Sequence, residues 1–258
     1  MNATPRQILR AAHRPLALFL GHGGLAVILV AWLPLALVLL PMPRARRQRA
    51  MRRLIHHAMR AYRHWLGWIG AVRFETRALN ALRDAPPGVI IANHPSLLDA
   101  LVVLSHVPDV VCVMRAGILR NPFFALPARL AGYLPNDDAV EMMLGARRAI
   151  RGGCHVLLFP EGSRSPLTTT PPLRAFHPAP FMLVRRTGAP LHAWLFRYDR
   201  PFLAKGWPGS YLPALPIRLV VTPMTPRPAT TADDPREMAA AWRARYARAI
   251  QPLEPAAP

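Results

Sequence analysis

The 258-residue sequence is poor in acids, in lysine and in cysteine. Thirteen Asp and Glu stand against 33 Lys and Arg, which gives a formal net charge of +20, and Lys205 is the only lysine. A field of that sign attracts nucleic acid, an anionic bilayer, phosphorylated substrates or an acidic carrier protein. An arginine bias beside 30 prolines can equally reflect genome composition, so the charge alone selects no partner. A nucleic-acid-binding protein would need aromatic-studded basic loops or a known motif, and neither is present. The two cysteines, Cys112 and Cys154, have no CxxC spacing and read as small buried hydrophobes in a reducing compartment. His56, His57 and His64 form no HExxH-type pattern, so no metal site is expected. A serine-hydrolase elbow is missing too: Gly162-Ser163-Arg164-Ser165-Pro166 lacks the closing glycine.

Apolar residues, by contrast, are plentiful at 52%, with only 18% charged. That surplus points to a membrane or a lipid-filled cavity. The length suits one domain with an appendage. Leu16 to Leu40 contains no formally charged side chain. As a helix, about 25 residues reach roughly 37 Å, enough to cross a hydrocarbon core. Gly21-His22-Gly23-Gly24 and Pro34 interrupt the pattern, so the segment is expected to be either one membrane span or a re-entrant hairpin broken at the glycines. The run is too long for a signal peptide and ends without a cleavage site. Arginines flank it on both sides, the larger cluster at Arg44, Arg46, Arg47, Arg49, Arg52 and Arg53. That bias predicts an inner (cytoplasmic) membrane protein with the part that follows the segment on the cytoplasmic face.

From Met51 to Ile69 apolar residues recur at helical spacing, with Arg52, Arg53, His56, Arg60 and Arg63 mainly on the other face. Such a helix either packs on the domain core or lies on an anionic membrane. Beyond it, strands are predicted at Val72–Thr76, Val89–Ala92, Val110–Met114, His155–Phe159, Leu191–Phe196 and Arg218–Thr222. Helices are predicted at Leu97–Ser105, Ala139–Arg151, Phe181–Arg186 and Asp234–Ile250. The alternation predicts an α/β sheet flanked by helices. The expected organisation is an anchoring segment over 1–43, a basic amphipathic helix over 44–70, an α/β domain over 71–251 and a disordered tail over 252–258.

Two loops carry the chemistry. Asn93-His94-Pro95-Ser96-Leu97-Leu98-Asp99 follows one predicted strand, and Phe159-Pro160-Glu161-Gly162-Ser163-Arg164-Ser165 ends another. Ligand sites of open α/β sheets gather at these carboxyl ends. An imidazole can take a proton from a hydroxyl near neutral pH, and a carboxylate on its other nitrogen fixes the tautomer. A spacing of five suits His94 and Asp99 only if His94 stands in the loop and Asp99 in the first helical turn, which Pro95 favours. Capping that helix is the alternative role for Asp99. In the second loop Gly162 admits a ligand close to the backbone, Ser163 offers a hydroxyl, and Arg164 can grip a phosphate.

NHPSLLD followed by FPEGSRS resembles the lysophospholipid acyltransferase family, whose best-known members acylate lysophosphatidate or glycerol 3-phosphate. The likeness runs from about Val72 to Thr222. It implies a glycerolipid-acyltransferase-like sheet with a hydrophobic N-terminal anchor. His94 is then the general base, Asp99 its orienting carboxylate, and Glu161, Gly162, Ser163 and Arg164 hold the acceptor, with Arg115 at a position the family usually gives to lysine. It also implies acyl-CoA or an acyl carrier protein (acyl-ACP) as co-substrate, with no metal or other cofactor. Its partners are then the membrane lipid bilayer and a lysolipid, not nucleic acid. Asp137 and Asp138 fall where the family has a basic residue. They raise an amine-bearing acceptor of the ornithine-lipid type as a second choice, unless they only cap the next helix. A non-catalytic membrane scaffold of the same fold is the third reading.

Overall fold

The computed structural model describes residues 5–166, 172–208, 211, 213–225 and 234–253, with the backbone alone at 5–13, 29, 32 and 33. Two long helices, α1 (Pro5–Leu39) and α2 (Arg44–Trp68), precede an alternating series. That series is β1 (Val72–Glu75), β2 (Val89–Ala92), α3 (Leu98–His106), β3 (Val110–Met114), α4 (Pro122–Ala131), β4 (Leu134–Pro135), α5 (Ala139–Arg151), β5 (His155–Leu158), α6 (Ala179–Thr187), β6 (Leu191–Tyr198), β7 (Ile217–Met224) and α7 (Pro235–Ala249). The strands form one sheet in the order β1-β7-β6-β2-β5-β3-β4, parallel at every pairing except β6 with β7. The expected α/β sheet with flanking helices is therefore the observed architecture. The tail expectation lies outside the described residues from 254 onward.

The short central strands are buried on both faces, as parallel strands covered by helices must be. On β2, Ile90 and Ala92 join a core with α1, α2 and α3, while Val89 and Ile91 join a second core with α6 and α7. Tyr246 of α7 ties the sheet centre together, its hydroxyl donating to the carbonyls of Trp194 (3.0 Å) and Ile91 (3.3 Å).

The N-terminal segment corrects the sequence reading. Neither Gly21-His22-Gly23-Gly24 nor Pro34 breaks α1, which runs continuously to Leu39. The glycines instead allow close packing: a Cβ on Gly24 would stand 2.8 Å from Trp65 Nε1, and one on Gly21 would be 3.4 Å from Leu66. Trp65 Nε1 donates to the Leu20 carbonyl at 3.1 Å, and the Tyr62 hydroxyl to that of Gly21 at 3.1 Å. With Arg47 bonded to the Leu40 carbonyl, these contacts fold α1 back along α2 as a helical hairpin turning at residues 40–43. Among the described residues no helix is long and apolar enough to cross a membrane, so the expected transmembrane helix has no support there. Leu16, Phe19, Val27, Val30, Leu37 and Val38 are nevertheless exposed along α1.

The basic helix is also corrected in part. Arg52 and His56, assigned to its polar face, are buried. Arg52 bonds Asp109 Oδ1 and the Ala131 carbonyl, and His56 Nδ1 meets the Leu104 carbonyl, so α2 packs on α3 and α4. Arg44, Arg46, Arg49, Arg53 and Arg60 remain on its exposed face.

Candidate active site

Both motif loops emerge at the carboxyl ends of adjacent parallel strands, β2 and β5. His94 stands in the loop and Asp99 in the first turn of α3. His94 Nδ1 donates to Asp99 Oδ2 at 2.9 Å, and the Ser96 amide donates to the same oxygen at 2.8 Å. Asp99 Oδ1 accepts from the hydroxyl of Tyr198, the last residue of β6, at 2.7 Å. The carboxylate is fully buried with three donors around it. Burial pushes its pKa up, and the hydrogen bonds and charge of His94, with the bonds from Tyr198 and Ser96, pull it back. Burial and the adjacent carboxylate push the Tyr198 phenol well above its ordinary value, which keeps it a donor. With the proton of His94 on Nδ1, Nε2 carries the lone pair, and it has no partner among the described residues.

The second loop holds the first. Glu161 is buried, and its carboxylate is fully engaged within the protein. Oε1 accepts from the His94 amide and the Ser165 hydroxyl, both at 2.8 Å, and Oε2 from the Arg174 amide at 2.9 Å. The Ser165 amide donates in turn to the His94 carbonyl at 2.7 Å. The imidazole stacks on Phe159 with centroids 4.0 Å apart and planes inclined by 16°. The backbone of His94 is thus clamped by one loop while its ring is aligned by Asp99 and Phe159. Gly162 has φ +65°, a left-handed turn conformation that glycine adopts without a Cβ clash.

Arg164 Nη1 donates to the carbonyls of Leu203 (2.8 Å) and Ala204 (3.0 Å) in the segment after β6. Ser163 is partly buried beside it. Arg115 directly follows β3, the strand next to β5, and is exposed at the same end of the sheet. The structure thus brings His94, Asp99, Glu161 and Arg164 into one hydrogen-bonded cluster and leaves Arg115 at its margin. Asp138 caps α5, accepting from the amides of Val140 (2.8 Å) and Glu141 (2.9 Å). Beside the loops lies an apolar pocket walled by Leu18, Leu25, Leu66, Leu98, Leu101 and Phe202.

Sequence reading missed Tyr198, Ser165 and Arg174. Tyr198 was within reach: alternation along β6 places it on the same face as Trp194 and Phe196, two residues past the predicted strand end.

The acyltransferase family profile matches residues 73–196. Human 1-acyl-sn-glycerol-3-phosphate acyltransferase beta is 30% identical over 117 residues, covering 42% of this chain and 40% of that protein. The Caenorhabditis elegans protein acl-1, whose name assigns it 1-acyl-sn-glycerol-3-phosphate acyltransferase activity provisionally, is 31% identical over 143 residues, covering 52% of this chain and 53% of that one. The chain thus spans about half or less of the length of these curated relatives. The crystal structure of the 1-acyl-sn-glycerophosphate acyltransferase PlsC from Thermotoga maritima superposes with a TM-score of 0.65 at 18% identity, over 93% of this chain and 97% of that one, a likeness of fold. Residues 73–196, which include both loops of the site, are therefore a domain of the acyltransferase family.

Proposed function

We propose that this protein moves a fatty-acyl group from acyl-CoA or acyl-ACP to the free hydroxyl of a lysophospholipid, with lysophosphatidate as the first-choice acceptor, in membrane lipid synthesis. The observation that carries the reading is the His94–Asp99–Tyr198 chain, which leaves one imidazole nitrogen without a partner among the described residues, on a loop whose Leu97 and Leu98 line an apolar pocket. In this reading His94 Nε2 takes the hydroxyl proton as the oxygen attacks the thioester carbonyl. The tetrahedral intermediate collapses, and the imidazolium returns the proton to the departing thiolate. Asp99 stabilises the imidazolium, Arg164 and Arg115 favour a phosphate-bearing acceptor, and a hydrocarbon chain lies in the pocket. No metal or resident cofactor has a part in these steps. The amine-bearing alternative rested on Asp137 and Asp138, and the capping bonds of Asp138 favour lysophosphatidate. Thiol release from acyl-CoA tests the reading. Release is expected with lysophosphatidate, and refusal of it alongside acylation of an amine-bearing lysolipid would reverse the order of acceptors. No release with any lysolipid or donor would leave the scaffold reading.

The same proposal places the protein on the cytoplasmic face of the inner membrane. Its support is the exposed apolar side of α1 beside the exposed arginines of α2, a combination suited to an anionic bilayer. Salt screens charge but leaves apolar contact in place. The full chain is therefore expected to stay with membranes through a high-salt wash. Release by salt alone would assign α1 to packing within the protein.

A further inference from the structure

The segment after β6 is bonded to both loops through Leu203. The Leu203 carbonyl accepts from the Leu97 amide of the first loop (3.2 Å) and from Arg164 Nη1 of the second (2.8 Å). Leu203 adopts φ +48°, a left-handed conformation that a leucine holds only where its surroundings enforce it. The next carbonyl, that of Ala204, accepts from Arg164 Nη1 (3.0 Å) and from the Trp207 amide (3.2 Å). The second bond closes a β-turn over Ala204–Trp207, and Gly206, with φ +78°, supplies the positive φ at the second corner. The first corner is Lys205. It is exposed and has no ion pair or hydrogen bond to a described residue.

We propose that Lys205 selects the acceptor by its phosphate, presented on a turn that Arg164 fastens to the catalytic loops. This rests on the acyl-transfer reading given above. Arg164 then has two tasks on its two sides. Nη1 holds the turn, while Nε and Nη2, which bond no described residue, remain for an anion. The turn sets the single lysine of the chain one residue beyond a carbonyl that the guanidinium grips. A phosphate monoester, with about two negative charges, can be met by a guanidinium and an ammonium together. Neighbouring Arg200 is already spent on Asp199 and on the Ala214 carbonyl, so it is no competing cation. Phe202 and Leu203 on the same segment line the apolar pocket. One short stretch therefore meets hydrocarbon at one end and offers a cation at the other, as an anionic lysolipid requires.

The test compares lysophosphatidate with monoacylglycerol, which lacks the phosphate, using the detergent-solubilised full chain. Loss of one charge-assisted contact at an exposed site corresponds to about 10-fold in affinity. For Lys205→Gln, KM for lysophosphatidate is expected to rise about 10-fold while kcat changes little, so the preference for lysophosphatidate over monoacylglycerol falls by a similar factor. Lys205→Arg should restore most of it. Calorimetric titration with lysophosphatidate in the absence of acyl donor should show the same loss of affinity. An unchanged KM ratio and unchanged binding in Lys205→Gln overturn the inference while leaving acyl transfer intact. Wild-type protein that neither binds nor acylates any lysolipid overturns the acyl-transfer reading itself, and this inference with it.

Discussion

His94→Ala is expected to slow acyl transfer by about 10²–10⁴-fold, the usual worth of a positioned general base, with the fold intact. The fold should survive because the loop is held through the backbone of residue 94, whose amide and carbonyl bond Glu161 and Ser165 whatever the side chain. Asp99→Asn is expected to do comparable damage by a different route. Asp99 receives three donors, from His94, Ser96 and Tyr198, and a carboxylate can accept them all. An asparagine has one oxygen, and its NH2 must face one or more of those donors. If it faces His94, Nδ1 becomes an acceptor, the ring proton moves to Nε2, and the base can no longer take a proton from the acceptor hydroxyl. Single-turnover thiol release from acyl-CoA, measured beside circular dichroism of each variant, checks both. Near-normal transfer by well-folded His94→Ala would remove the base mechanism altogether.

Elements whose burial follows from local pattern were legible in the sequence. The Val89–Ala92 and Val110–Met114 strands and the Ala139–Arg151 helix begin and end where read. Short β-branched runs buried on both faces and an amphipathic helix behind an aspartate cap are local signals. The region around α4 was not foreseen as a helix: Pro127 lies in its interior, yet Pro122 suits its first turn, Asn121 caps it by accepting from the Phe123 amide, and its inner face is buried. The long N-terminal segment misled for a related reason. Its glycines read as a break because their value lies in close approach to Trp65 and Leu66, residues some forty positions away. The site divides in the same manner. His94 and Asp99 are five residues apart and declare their relation locally. Tyr198 and Arg174 reach their partners only through sheet order and loop closure, which no local spacing encodes.

The hydrogen bonds of Glu161 offer it a second role beside the one the resemblance implies, and its variants separate the two possibilities. The sequence resemblance gives it to the acceptor, whereas among the described residues its carboxylate bonds His94, Ser165 and Arg174. Glu161→Ala would leave three donors without their acceptor in a buried place. At about 1 kcal/mol or more for each unsatisfied group, the loss should reach roughly 2–4 kcal/mol, lowering the thermal midpoint by about 5–15 °C. Turnover should fall with it, because the clamp on the His94 backbone sets where Nε2 sits relative to the acceptor. Glu161→Gln should be milder. One amide oxygen can still serve the His94 amide and the Ser165 hydroxyl, and only the Arg174 amide then meets a donor instead of an acceptor. The expected order is therefore wild type, Gln, Ala in both midpoint and kcat, with KM for the acceptor changing least. If Glu161 instead bound the acceptor directly, both variants would raise that KM steeply at an unchanged midpoint, and the clamp would have no part in catalysis.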